Sequence, residues 1–298
     1  MSSPDQLQHF LFSDVDIRGQ LVGLEEAYQQ VLENSEYPQP IKALIGEFMA
    51  AAALLSGTIK VDGKLSIQAQ GNGPLSLIMA ECGHNQEVRA IARWEGEPEQ
   101  ISLKELLGEG QLVISIEPDQ GQRYQGMVPF TGDTLAQCLE SYFDQSEQIK
   151  TKIWLSSNPG QSAAGLLLQA MPATSDNFDE DAWPRICMLT NTLTETELRD
   201  LQNVALIYHL YHQEEVNLYP PSPISFRCSC NRERTMSALI GLGQDELEDI
   251  IAEQQELEVK CEFCNATYHF TREDLEPYML ELDITKMASD LSPSRTLH

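Results

Sequence analysis

Four cysteines crowd into 37 residues near the C-terminus: Cys228-Ser229-Cys230, then 30 residues, then Cys261-Glu262-Phe263-Cys264. Thiolates in two close pairs suit one tetrahedral Zn²⁺ per chain, whose sulfur bonds of about 2.3 Å hold neighbouring sulfurs within about 4 Å. The flanks support such a turn. Leu257 and Val259 alternate into Cys261, and Tyr268 and Phe270 alternate away from Asn265, which places Cys261–Cys264 at the knuckle of a hairpin. Helices are expected between the pairs, around Thr235–Ile240 and Asp245–Gln254. Arg227, Arg232, Arg234 and Lys260 stand beside the ligands, either as cations that stabilise thiolates or as ordinary solvated charge. A lone C-x-x-C also suits a redox dithiol, but no βαβ pattern of the thioredoxin kind surrounds this one. The C-x-C half is one residue tighter than the usual half of a zinc ribbon. Oxidised, it closes a very small, strained ring that is easily reduced again, so the pair suits reversible oxidation better than permanent structure.

The other candidate chemistry is thin. Cys82, Cys138 and Cys187 are scattered and are expected to be small buried hydrophobes. His209 and His212 flank an apolar segment without an evident carboxylate or thiol partner, and are expected at the surface. His269 follows Cys264 by five residues but competes with four thiols for any metal. Gly71-Asn72-Gly73 lacks the third glycine of a phosphate loop and is followed by Pro74, which makes it a hairpin turn. With no G-x-S-x-G, H-E-x-x-H or P-loop pattern, an enzyme is not expected.

The elements that must position the cysteines begin with an N-terminal α+β domain over 1–174. Residues 7–22 read as strands, Leu24–Leu32 and Ile41–Leu55 as helices, the second so apolar that it must be buried. Short strands follow at Ile59–Ala69, Leu75–Glu81, Val88–Trp94, Leu112–Ile116 and Arg123–Val128, then a helix at Leu135–Phe143 and a strand pair, Ile149–Leu155 and Ala164–Gln169. Composition shifts after Pro172, and 175–225 reads as a helical connector. Thr194 and Glu197 have capping-box spacing. Leu198, Leu201, Val204, Ala205, Tyr208 and Tyr211 repeat at helical spacing as one apolar stripe, and Pro220-Pro221-Ser222-Pro223 reads as a semi-rigid hinge. A small zinc-binding module over 226–298 completes the chain.

Nineteen Lys and Arg against 46 Asp and Glu give a net charge of −27, and all three segments are acidic, so nucleic acid and anionic membrane are poor partners. The longest apolar run, Phe48–Leu55, has eight residues, against the roughly 20 that span a bilayer. No basic signal-like segment opens the chain, so a soluble cytoplasmic protein with reduced thiols is expected.

A C-terminal C-x-C and C-x-x-C behind a large α+β domain resembles the heat-shock protein 33 family of redox-regulated chaperones. Asp16-Ile17-Arg18-Gly19, Gly71-Asn72-Gly73-Pro74-Leu75 and Leu166-Leu167-Leu168-Gln169-Ala170-Met171-Pro172 match it too. The resemblance implies an ATP-independent holdase that is inactive while reduced and zinc-bound. Oxidation would then form disulfides, expel zinc, unfold the module and loosen the connector, which binds unfolding clients, often in a homodimer, before ATP-dependent chaperones receive them. Under that mechanism Cys228 is expected to join Cys230 and Cys261 to join Cys264, since sequence neighbours stay close even in an unfolded module. Leu198, Leu201, Val204, Tyr208 and Tyr211 become the candidate client or switch surface. A constitutive zinc-module adaptor and a dithiol–disulfide oxidoreductase are the rival readings.

Overall fold

The computed structural model describes residues 5–98, 102–130, 132–172, 179–241 and 256–275. By internal contacts the chain divides into two compact units, Met1–Arg227 and Cys228–His298. The first opens with β1 (Gln6–Phe12), β2 (Ile17–Leu24), α1 (Glu26–Leu32) and the long α2 (Gln39–Ser56). Next come β3 (Gly63–Gly71), β4 (Leu75–Gly83), β5 (Glu87–Trp94), the short α3 (Leu103–Leu107), β6 (Gly110–Pro118) and β7 (Tyr124–Pro129). Helix α4 (Leu135–Tyr142) runs into a π-turn over Phe143–Glu147 and precedes the hairpin β8 (Thr151–Asn158) and β9 (Ser162–Ala170). Three helices, α5 (Ala182–Thr190), α6 (Glu195–Asp200) and α7 (Asn203–Tyr211), lead to three short strands, β10 (Val216–Leu218), β11 (Ser222–Pro223) and β12 (Ser225–Phe226). The second unit holds α8 (Arg232–Ile240), β13 (Glu256–Lys260) and β14 (Thr267–Thr271). The mixed α+β class expected from the sequence is what the chain adopts. The helix expected at Asp245–Gln254 and the polar stretch from Thr174 to Asn177 lie outside the described residues.

Two sheets make the first unit. One runs β10-β1-β2-β9-β8 with β11 also on β1, all antiparallel; the other runs β12-β5-β4-β3-β6-β7, antiparallel except for β12 on β5. Helix α2 packs against strands of both. Its apolar run follows from that position: Ile45, Phe48, Met49 and Leu54 are fully buried, and Ala50–Ala53 keep its girth small. Each large side chain so buried contributes about 1.5–3 kcal/mol. Pro40 sits in the first turn of this helix, where a missing N–H costs no intrahelical bond.

The first sheet is apolar on both faces, and this fixes the place of the connector. Leu7, Val22 and Leu167 face the core around α2, while Phe10, Phe12, Leu21, Leu166 and Leu168 face the other way. A sheet apolar on both faces must be covered twice. Ile186 of α5, Leu198 of α6 and Leu206, Ile207, Leu210 and Tyr211 of α7 supply the second cover.

The structure departs from the sequence expectation at two places in the connector. The apolar stripe is not one helical face: Leu198 (7% exposed) and Tyr211 (1%) are buried, whereas Leu201 (37%), Val204 (62%) and Tyr208 (72%) are exposed. The chain turns extended at Leu201 between α6 and α7, so helical phase is reset there and a periodicity counted across the break has no physical meaning. Within α7 alone the buried face is Leu206, Ile207, Leu210 and Tyr211, itself a proper helical set. The proline-rich hinge is instead a strap. Ser222–Pro223 pairs with Gln6–Leu7, and Ser225–Phe226 pairs with Glu87–Val88. Between them the Ile224 N–H donates to the Asp5 carbonyl at 3.0 Å, and the Ile224 side chain is buried. Proline favours an extended backbone and is tolerated on a sheet edge, where its missing donor is not needed.

Candidate metal centre

Among its described residues the second unit holds a two-stranded hairpin and the helix α8. β13 and β14 pair in register from Glu256↔Thr271 to Lys260↔Thr267, which brings Cys261 and Cys264 into the connecting knuckle as the alternation of Leu257, Val259, Tyr268 and Phe270 implies. The Cys261 N–H donates to the Ala266 carbonyl at 2.9 Å, and the Asn265 N–H donates to the Cys261 carbonyl at 2.8 Å. Asn265 takes the left-handed conformation at φ 56°, which asparagine tolerates better than most residues. On the other side Asn231 caps α8, accepting from the Arg234 N–H at 2.7 Å, just after the C-x-C turn. Among the described residues Met236, Leu239, Phe270 and Leu275 form the module's buried cluster, with Ile240, Leu257, Val259 and Tyr268 packed on them. In a unit of this length a structural metal is a usual supplement to the hydrophobic core.

The four thiols converge. The sulfurs of Cys228, Cys230, Cys261 and Cys264 all lie within 4.8 Å of one another and are half-buried. Cys228 Sγ stands 3.6 Å from Cys261 Sγ, and Cys230 Sγ stands 3.3 Å from Cys264 Sγ. A tetrahedral ion with sulfur bonds of about 2.3 Å sets its ligands a little under 4 Å apart, so the donor set fits zinc in type, number and spacing. The hydroxyl of Tyr268 donates to Cys230 Sγ at 3.1 Å.

Electrostatics point the same way. Burial works against the Cys230 thiolate, yet bonds from Tyr268 and the three other thiols outweigh it and bring that thiol down to about 7. Cys261 and Cys264 move the other way, raised by burial and by their sulfur neighbours. Negative charge on one sulfur disfavours it on neighbours this close. A dication would let all of them ionise together.

The basic residues beside the cysteines are mostly engaged elsewhere. Arg227 pairs with Glu87 at 2.9 Å within the first unit. Arg232 pairs with Asp274 at 2.8 Å and lies over the Phe270 ring at 4.5 Å. Arg234 bonds the C-x-C turn itself, donating to the Ser229 carbonyl at 3.0 Å and the Ser229 hydroxyl at 2.7 Å. His269 takes no part in the thiol cluster and faces Glu256 at 3.5 Å, and His209 faces Glu197 at 3.4 Å. Cys82 and Cys138 are buried as expected, and burial pushes Cys82 up to about 12. Cys187 departs from expectation: it is only half-buried, though burial still raises it to about 11. Asn72 holds its turn by accepting from the Glu109 N–H at 2.9 Å, in keeping with a hairpin rather than a phosphate loop.

Comparison with known proteins adds the family context. The family described as "Hsp33 protein" matches residues 5–271. The sequence is 45% identical over 275 residues to the 33 kDa chaperonin of Shewanella loihica, covering 92% of this chain and 95% of that one. It is 45% identical over 300 residues to the 33 kDa chaperonin of Ectopseudomonas mendocina, covering 99% of each. In fold it is similar to the solved 33 kDa chaperonin (heat shock protein 33 homologue) of Thermotoga maritima, with a TM-score of 0.77 at 20% identity, over 96% of this chain and 99% of that one.

Proposed function

The chain belongs to the Hsp33 family, a family of chaperones rather than enzymes, and from that premise we propose that it is a redox-regulated, ATP-independent holdase. The observation that carries this reading is the convergence of four thiols, drawn from two pairs 30 residues apart, within 4.8 Å. In the reduced protein Cys228, Cys230, Cys261 and Cys264 hold one Zn²⁺. Bound there, zinc keeps the thiolates ionised and ties the C-x-C half of the module to the C-x-x-C half. Binding free energy in such modules is folding free energy, about 10–16 kcal/mol, so a module that loses its ligands to oxidation unfolds.

Oxidation by a hydroperoxide consumes two thiolates per disulfide. One sulfur attacks the peroxide oxygen, the O–O bond breaks and hydroxide leaves. A second thiolate then displaces hydroxide from the sulfenic sulfur. Two protons are taken up, and each disulfide yields two equivalents of water from one hydroperoxide (one water and one alcohol for an organic peroxide). Cys228–Cys230 and Cys261–Cys264 are the disulfides of this reading.

Domain roles follow: a core over 1–174, a connector over 175–225 and a redox module over 226–298. The connector binds unfolding client proteins once its support is lost, the oxidised protein dimerises, and clients pass to ATP-dependent chaperones in the cytoplasm. Among the described residues no helix is long and apolar enough to cross a membrane.

The test is aggregation suppression on a chemically denatured client, with reduced and peroxide-treated protein side by side and zinc release followed by a metallochromic dye. Suppression confined to the oxidised, zinc-free protein is expected. Equal activity in both states, or zinc retained through oxidation, overturns the proposal.

A further inference from the structure

Tyr268 is placed to do more than fill the module's core. Its ring packs against the cluster of Met236, Leu239, Phe270 and Leu275, and its hydroxyl reaches 3.1 Å to Cys230 Sγ, the hydroxyl's sole partner among the described residues. The contact differs in kind from those at the knuckle, where Cys261 and Cys264 accept from the backbone N–H groups of Phe263 and Ala266. Those donors are fixed by the turn; the donor at Cys230 is a side chain on β14, carried from 38 residues away in sequence. It therefore joins the C-x-C half of the site to the strand beyond the C-x-x-C half.

We propose that Tyr268 sets the oxidation threshold of the metal centre, by holding the sulfur of Cys230 in a hydrogen bond that lowers its reactivity toward hydroperoxide. The inference rests on the redox reading above and assigns a positioning residue to it. The physical reason is direct. A sulfur lone pair engaged by an O–H donor has less electron density to offer the peroxide oxygen, and the thiolate that attacks must first give up that bond. The step itself is the one already balanced: sulfur gains oxygen, the O–O bond breaks and hydroxide leaves, with hydroperoxide as the oxidant. Because the ring is packed on a cluster drawn from both helix and hairpin, the bond persists only while the two stay together. Loss of the module's order therefore exposes Cys230 to attack, and the first oxidation makes the second easier.

The experiment compares full-length, zinc-loaded protein with Tyr268→Phe, and with 3-fluorotyrosine placed at position 268, under limiting hydrogen peroxide. Zinc release is followed by dye absorbance, and early sulfenic acid is trapped with dimedone and located by mass spectrometry. Tyr268→Phe keeps the ring and is expected to release zinc about three- to tenfold faster, the weight of one net hydrogen bond, with earlier trapping at Cys230. The fluorinated residue, a stronger donor, is expected to release it more slowly than the wild type. A merely structural role gives no such opposition of sign. Equal rates in all three proteins, or faster release in both variants, overturns the inference while leaving the redox reading intact. Wild-type protein that keeps its zinc in peroxide overturns both.

Discussion

The Tyr211 hydroxyl lies 2.6 Å from the Thr190 hydroxyl with both side chains fully buried, and the direction of that bond is determined. Thr190 has one proton and donates it to the Ile186 carbonyl at 2.7 Å, so Tyr211 is the donor and Thr190 Oγ1 the acceptor. This bond ties α7 to α5, and the Tyr211 ring packs edge-on to Phe12 at 5.0 Å and beside Phe10 at 6.0 Å. Tyr211→Phe removes only the bond, because Thr190 keeps its partner, and is expected to cost about 1 kcal/mol. Tyr211→Ala also empties the site and is expected to cost about 3–5 kcal/mol. Urea unfolding followed by the fluorescence of Trp154 and Trp183, which pack on the same cluster, checks both.

Gly19 controls the same contact from beneath. A Cβ there would lie 2.0 Å from Phe10 Cζ, so the Phe10 ring rests directly on the glycine backbone. Gly19→Ala is expected to displace Phe10, and with it Tyr211, raising hydrogen exchange in α5 and α7 more than in the core around α2. Unchanged exchange in those helices would show that the ring finds another place at no cost.

The connector as transmission element has a sharper test than its sequence suggests. Leu206 and Leu210 are buried under α7, while Leu201 and Val204 are exposed. Leu206→Glu with Leu210→Glu buries two carboxylates without partners, each costing several kcal/mol, and is expected to undock the helix. Aggregation suppression by the reduced, zinc-loaded variant is the expected outcome. Leu201→Glu with Val204→Glu, both at the surface, should leave the reduced protein inactive. If the buried pair raises connector exchange and activity still requires oxidation, the connector does not transmit the switch.

What the sequence revealed depended on how local each signal was. The C-x-C and C-x-x-C turns, the hairpin alternation around them and the buried helix Gln39–Ser56 are each written in neighbouring residues, and each was legible. The Thr194–Glu197 capping box was too, and both of its reciprocal bonds form. The connector's stripe is not legible locally, because it runs across a helix break at Leu201 that no glycine or proline marks. Its proline strap is not legible either, because pairing with Gln6–Leu7 joins residues more than 200 positions apart and leaves no mark in local composition. Tyr268 was seen as an alternating apolar residue; its hydroxyl contact to Cys230 depends on the two halves folding together.

Glu47 gives the first unit an acid-side stability. Burial first, and the charge of Glu195 second, push this α2 carboxyl from about 4.5 up to about 7. Between those two values the folded protein holds a proton that the unfolded chain has lost, so stability falls as pH rises through that window and is lowest above about 7. The difference corresponds to about 3 kcal/mol. Glu47→Gln is expected to stabilise the first unit at pH 8, to change little at pH 4, and to flatten the slope between. All three tryptophans, Trp94, Trp154 and Trp183, lie in that unit, so fluorescence-monitored urea unfolding at several pH values reads it directly. A slope unchanged by the substitution would place the titration elsewhere.

The disulfide pairing offers the most discriminating measurement on the metal centre. In the folded module close sulfur contacts cross between the two halves, 3.6 Å for Cys228 to Cys261 and 3.3 Å for Cys230 to Cys264. Along the chain the near neighbours are instead Cys228 with Cys230 and Cys261 with Cys264. Which pairs form reports the order of events. Disulfides formed while the module is still folded draw on all four sulfurs, cross pairs included. Disulfides completed after it unfolds follow loop-closure entropy, which favours the shortest loops. Under the proposed mechanism the neighbours win, and peptide mapping of the fully oxidised protein is expected to find them, with Cys82 and Cys138 still thiols. Cross-linked Cys228–Cys261 and Cys230–Cys264 would mean that oxidation locks the module shut rather than opening it. The companion variant, Cys264→Ser, is expected to lose high-affinity zinc while the first unit keeps its stability; full-affinity zinc in that variant would remove Cys264 from the ligand set.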